Sequence, residues 1–223
     1  MLQEPFFFDE IAATATPVTP PVAVVAKTAG AGLAADSRVM VLGGERALGE
    51  IAVGDAVLTR DNGYQTVRWI GPIDPVGGTG AEAAGGRRLR IRAGALPGGL
   101  PRRDLDLAPG QRLLNRAEPA PAGGSETLIA ARDLVALAGV EFCDAPEVPP
   151  AWQILLARHE LILADDLWTE SWQPDLAQVA LLPAGERDRV MALCPRLAQR
   201  GSGRAFAAAR RPALSALDLP RCA

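Results

Sequence analysis

The chain has 223 residues, 48% of them hydrophobic, with 23 Lys and Arg against 26 Asp and Glu for a formal charge of -3. This length and apolar content permit a substantial core, and the mild acidity argues against an electrostatic nucleic-acid footprint. Three cysteines without CxxC spacing and a single histidine provide neither a disulfide framework nor a zinc signature, so no metal and no cofactor are expected.

Residues 1–31 read as a flexible Pro/Ala/Thr-rich leader. Pro17, Pro20 and Pro21 interrupt a stretch of Thr, Ala and Val, which favours extended backbone over a packed helix. Phe6-Phe7-Phe8 is too short for a signal-peptide core, Asp9 and Glu10 follow it at once, and Glu4 stands where a positive region belongs. No apolar run is long enough to span a bilayer. The expectation is a soluble protein, cytoplasmic or secreted without a cleaved N-terminal signal.

Val39 to Val41 is a short β-branched run closed by Gly43-Gly44, which suits a tight turn. Val57 to Thr59 is a second such run. Asn62-Gly63 follows, a strong hairpin signal because both residues tolerate positive φ. Tyr64 to Ile70 then reads as one return strand, with Val67 and Trp69 on one face and Thr66, Arg68 and Ile70 on the other.

Further along, Gly77 to Gly86 contains a Gly-x-Gly that resembles a phosphate loop only superficially. Gly85-Gly86 would interrupt the helix such a loop must open, so a flexible hairpin connection is the better reading. The arginine pairs Arg87-Arg88, Arg102-Arg103 and Arg210-Arg211 alternate with apolar residues or acids and fit solvated edges. With one Tyr and five Phe there is no obvious stacking platform for bases. Cys143 at an apparent strand end and Cys194 on a predicted helix read as small buried hydrophobes. His159, beside Glu160 and ahead of Leu161 to Ala164, reads first as a structural histidine hydrogen-bonded at a strand edge.

Beyond Trp172 the pattern changes. Pro183 and the charged run Gly185 to Arg189, followed by Val190, Met191, Leu193 and Leu197, predict a short amphipathic helix, and Ala205 to Arg210 a further turn or two. Packing against the parent domain is the common use of such a stripe. The domain organisation read from these patterns is a leader over 1–31, a β domain over 32–173 and a helical or extended cap over 174–223.

The order apolar strand, Gly turn, Ala47-Leu48-Gly49-Glu50-Ile51, then Val53-Gly54-Asp55 leading into Val57-Leu58-Thr59, resembles the start of a Hint (Hedgehog/intein) domain. Similar blocks recur at Leu89 to Leu100, Asp104 to Leu114, Ala130 to Val135 and Arg158 to Trp172, with a weaker echo at Ala209 to Leu217. The resemblance is strongest to the bacterial Hint-domain-containing subgroup and covers roughly residues 32 to 172. It implies an all-β Hint-like fold of short twisted strands and hairpins with a few C-terminal helices.

It also implies a chemistry whose parts are missing here. In Hint domains a first-position Cys, sometimes Ser, attacks the preceding carbonyl, with proton transfer and oxyanion stabilisation around it. That position aligns with Gly32, which has no side chain. The Gly-Thr pair common before the first strand becomes Asp36-Ser37, and the histidine of the Ser-Pro-Asp-His-type block becomes Gln111, which cannot shuttle a proton near neutral pH. Where similar proteins read Tyr-His-Ile-Glu-Leu-Asp-Arg-His, this chain has Trp152-Gln153-Ile154-Leu155-Leu156-Ala157-Arg158-His159, keeping only the last histidine. Arg221 precedes Cys222, not the Asn that intein C-terminal cleavage uses.

The favoured expectation is therefore a diverged Hint module without self-processing, an interaction or structural domain with an unknown protein as a possible partner. One alternative is a self-cleaving enzyme in which Ser37, or a water placed by His159 and Gln111, attacks near Gly32. A further alternative is a small-ligand or protein-binding module using the old cleft, lined by Gln111, Gln153 and His159.

Overall fold

The computed structural model describes residues 30–73, 87–116, 126–143, 150–199, 205–206 and 213–214. The leader to residue 29, the Gly-rich stretch, Cys222 and the Arg210-Arg211 pair lie outside the described residues. The chain is mainly antiparallel β, as the resemblance implies.

The strands, in chain order, are β1 (Arg38–Val41), β2 (Gly44–Ala47), β3 (Ala56–Thr59), β4 (Gly63–Thr66), β5 (Trp69–Ile73), β6 (Arg88–Ile91) and β7 (Leu105–Leu107). They continue with β8 (Arg112–Arg116), β9 (Glu126–Ala130), β10 (Val140–Cys143), β11 (Ala151–Leu155), β12 (Leu161–Ala164), β13 (Leu167–Glu170) and β14 (Ala213–Leu214). Nine form one sheet in the order β14-β9-β8-β13-β12-β1-β3-β4, with β2 paired to β1; β10-β6-β7 and β11-β5 form two small sheets. Two turns are set by local chemistry. Gly63 takes φ +61° in the β3–β4 hairpin, and Asp165 and Asp166 take φ 45° and 64° between β12 and β13, a conformation Asp tolerates better than most residues.

One predicted element is corrected. Tyr64 to Ile70 is not a single return strand, because β4 ends at Thr66 and β5 begins at Trp69 in a different sheet. Val67 N still donates to Asp55 O (2.8 Å), but Arg68 N donates to Leu155 O (2.8 Å), so the chain passes from β3 to β11 within two residues. Burial alternates across this handover as predicted, with Val67 and Trp69 inside and Thr66 and Arg68 outside, and so the sequence pattern conceals it.

The main core gathers Val39, Val41 and Val57 with Leu89, Leu107, Leu113, Ile154 and Ile162. A second cluster forms around Trp69, Leu155 and Trp172. Onto it pack α1 (Leu176–Ala180) and α2 (Ala184–Leu193) through Val179, Leu182, Val190, Cys194 and Leu197. The sequence pattern anticipates α2 but not α1, whose start is set by Asp175 accepting from Gln178 N at 2.8 Å. Trp69 and Trp172 stand 4.8 Å apart between ring centroids, and Trp69 Nε1 donates to Glu186 Oε2 of α2 at 2.7 Å.

Candidate functional site

The segment around Gly32 is threaded as an extended strand between the two small sheets. Leu33 N and O exchange hydrogen bonds with Trp152 O and N on one side (3.0 and 2.8 Å). On the other, Ala108 N donates to Gly32 O (2.8 Å), Gly110 N to Gly30 O (3.0 Å) and Ala34 N to Asp106 O (2.9 Å). Gly32 has φ +137°, and a Cβ built there would lie 2.7 Å from Ala151 Cβ and 2.9 Å from Trp152 O. The backbone conformation and the flanking Ala151-Trp152 segment therefore both oppose a side chain.

The turn that holds Gly30 and Gly32 also delivers Gln111. Its backbone N donates to Ala108 O (2.9 Å), and its buried side-chain Nε2 donates to Thr169 Oγ1 (2.6 Å) and Glu170 O (2.8 Å). Thr169 Oγ1 donates in turn to Arg112 O (2.8 Å). Gln111 Oε1 is buried with no hydrogen-bond partner among the described residues. The carboxylate of Glu170 meets His159, with Nε2 to Oε2 at 3.3 Å, and Arg112 Nη1 at 3.6 Å. The imidazole has no solvent exposure and the Glu170 side chain only 11%. Beside them Asn62 Nδ2 donates to both Glu160 oxygens (2.8 and 2.9 Å), and Glu160 N donates to Ser171 Oγ (2.9 Å).

Of the predicted cleft residues, Gln111 and His159 thus converge on Glu170. Gln153 is buried on β11 opposite Gly71, and no hydrogen bond is described between its side chain and that pair. Ser37 stands apart. Its backbone N donates to Ala34 O (3.1 Å) and its O accepts from Leu48 N (2.8 Å), while Oγ is buried with no hydrogen-bond partner among the described residues. At the entrance to β1 the backbone of Ser37, not its hydroxyl, makes the bonds.

Sequence reasoning missed Thr169, Glu170 and Ser171. Their one available signal was a polar trio near the end of the Leu161 to Trp172 block, after the Asp165-Asp166 pair. Among the described residues no group of three or more His, Cys, Asp and Glu is placed to hold a metal ion. Neither described cysteine is poised as a thiolate nucleophile. Burial pushes the Cys194 thiol up to about 11 and also raises half-buried Cys143. The arginine pairs are engaged locally: Arg88 Nη2 donates to Pro150 O (2.6 Å), Arg102 meets Asp166 (3.3 Å) and Arg103 meets Asp165 (2.8 Å).

These features, an extended first segment clamped beside the Gln111 turn and a twisted antiparallel body, coincide with a match to the Hint domain family model over residues 31–176. The chain belongs to the Hint domain family. This Hint domain is also similar to solved inteins: the gp41-1 intein, with 16% identity, 63% of this chain and 98% of the other covered and a TM-score of 0.40; the MchDnaB-1 intein (N145AA), with 16% identity, 63% and 99% covered and a TM-score of 0.36; and a DnaB intein from Synechocystis sp. PCC 6803, with 8% identity, 64% and 99% covered and a TM-score of 0.38. No curated protein matches the chain. No helix among the described residues is long and apolar enough to cross a membrane.

Proposed function

We propose that this protein is a diverged Hint domain that retains the fold and has lost self-processing, acting as an interaction or structural module. The observation that carries this reading is the enclosure of Gly32. A nucleophile at the aligned position would need a Cβ where Ala151 Cβ and Trp152 O already stand. Gln111 supports the same reading, because its Nε2 donates to Thr169 Oγ1 and Glu170 O and its carboxamide cannot shuttle a proton near neutral pH. A serine in place of the cysteine needs a base. Ser37 Oγ, buried, has no hydrogen-bond partner among the described residues.

The test is the intact mass of the full-length chain, fresh and after prolonged incubation with dithiothreitol. The expected outcome is one unchanged mass. A fragment ending near Ala31 that Ser37→Ala or His159→Ala abolishes would overturn the reading in favour of self-cleavage by an unconventional nucleophile. Specific capture of a small molecule that Gln111→Ala or His159→Ala abolishes would instead favour ligand binding in the old cleft.

A further inference from the structure

The large sheet has an unusual second face. Val39, Val41, Val57, Ile162 and Leu113 turn into the main core, so strand alternation sends Met40, Leu58, Leu163 and Leu114 the other way, and Leu42 follows in the turn after β1. Tyr64, paired with Leu58, and Trp168, paired with Leu163, extend that face across neighbouring strands. None of these side chains belongs to either hydrophobic cluster. Leu42 is 68% exposed and Tyr64 45%, and the others are half-buried. A sheet face open to water ordinarily alternates to polar residues, and a continuous apolar surface of this kind marks an interaction site.

We propose that the Phe6-Phe7-Phe8 segment of the same chain docks on this face. Three of the chain's five phenylalanines stand together there, flanked by Glu4, Asp9 and Glu10. Arg38, on the same side of β1 as Met40, is the basic residue this acidic flank would meet; the Arg60 guanidinium lies over the Trp168 ring, 5.7 Å from its centroid, and pairs with Glu126 at 2.7 Å, while Glu45, opposite Met40, and Glu170, on the side of β13 that carries Trp168, are acids at the margin. Reach is ample, because residues 9–29 can span about 70 Å at ~3.4 Å per residue, against a domain about 40 Å across. The tether also decides between occupants. It holds the phenylalanines at an effective concentration in the millimolar range, so a second copy at micromolar concentration competes poorly.

The experiment is photo-crosslinking of the full-length chain carrying p-benzoyl-L-phenylalanine in place of Phe7, at low micromolar concentration. The expected product is an intramolecular link from position 7 to Met40, Leu42, Leu58 or Tyr64. It should fall to background in a Leu42→Glu/Tyr64→Glu variant, whose changes sit at exposed positions, and drop several-fold in Arg38→Glu. Links between two copies through this face would overturn the proposal in favour of a dimer. Links elsewhere, no link, or a link that survives the double variant would overturn it outright.

Discussion

His159 and Glu170 face each other inside the protein, Nε2 to Oε2 at 3.3 Å, with the imidazole wholly out of solvent. The contact ties the approach to β12 to the end of β13, and Arg112 of β8 approaches the same carboxylate oxygen. Removing one member of a buried charged cluster costs more than its net interaction, because the remaining groups stay desolvated. Glu170→Ala should therefore lose about 2–4 kcal/mol in urea unfolding. Glu170→Gln, which keeps an oxygen facing the imidazole, should lose less. A double-mutant cycle with His159→Gln should give a coupling of at least about 0.5 kcal/mol. Additive single effects would show that the two side chains act independently.

Gly32→Ala tests the enclosure directly. The new methyl meets Ala151 Cβ and Trp152 O in a backbone conformation that side chains avoid. The expected loss is about 2 kcal/mol or more, combining strain and overpacking. Gly32→Cys should be destabilised likewise and should show no thiol-dependent fragment in intact mass. A Gly32→Cys chain that is as stable as the parent and cleaves itself would remove the steric argument.

Asp165 predicts a pH signature. It is buried at the β12–β13 turn, where it accepts from Arg38 N (3.1 Å) and pairs with Arg103. Burial raises its carboxyl above the ordinary 3.8, with the Arg38 N–H and Arg103 opposing that shift. The folded chain therefore binds this proton more tightly than the unfolded chain, so the stability linked to this group is fully present below 3.8 and is lost as pH rises through the raised folded value. Asp165→Asn keeps an oxygen for Arg38 N–H, tolerates positive φ and removes the titration. Denaturation of both chains from acidic to neutral pH should show the variant gaining on the parent as pH rises. A relative gain for the parent would reverse the sign and refute the burial argument.

Trp69 and Glu186 anchor α2 to β5. Glu186→Ala removes the acceptor of the indole N–H and should cost about 1 kcal/mol in unfolding free energy, together with a change in tryptophan emission. Glu186→Gln should preserve most of both. Equal effects of the two substitutions would mean that the Glu186 charge, and not its acceptor, holds the helix.

Short-range chemistry was legible in the residues themselves. Asn62-Gly63 marked a hairpin because a left-handed turn residue is a local requirement, and the alternation around Val67 and Trp69 marked burial because a strand has a two-residue period. Gln111 in place of histidine was visible in the same way, as a change of functional group at one position. The charged run after Pro183 and the apolar residues that follow it announced α2, although that helix buries Val190 alone and has no marked apolar face, and α1 rests on a five-residue turn with little pattern of its own.

Other features depend on which strands become neighbours, and sequence spacing does not encode that. The break between β4 and β5 arises because Arg68 finds Leu155, 87 positions away, as its partner. Glu170 gains its place opposite His159 only when β12 and β13 pair and β8 closes beside them. The main core then takes one side of the large sheet and leaves Met40, Leu42, Leu58 and Tyr64 on the other, a division invisible in strands that are apolar on both faces. By itself the sequence determined that Gly32 carries no nucleophile; the tertiary structure decided that it has no room for one, because only the pairing of residues 30–34 between β7 and β11 brings Ala151 and Trp152 against it.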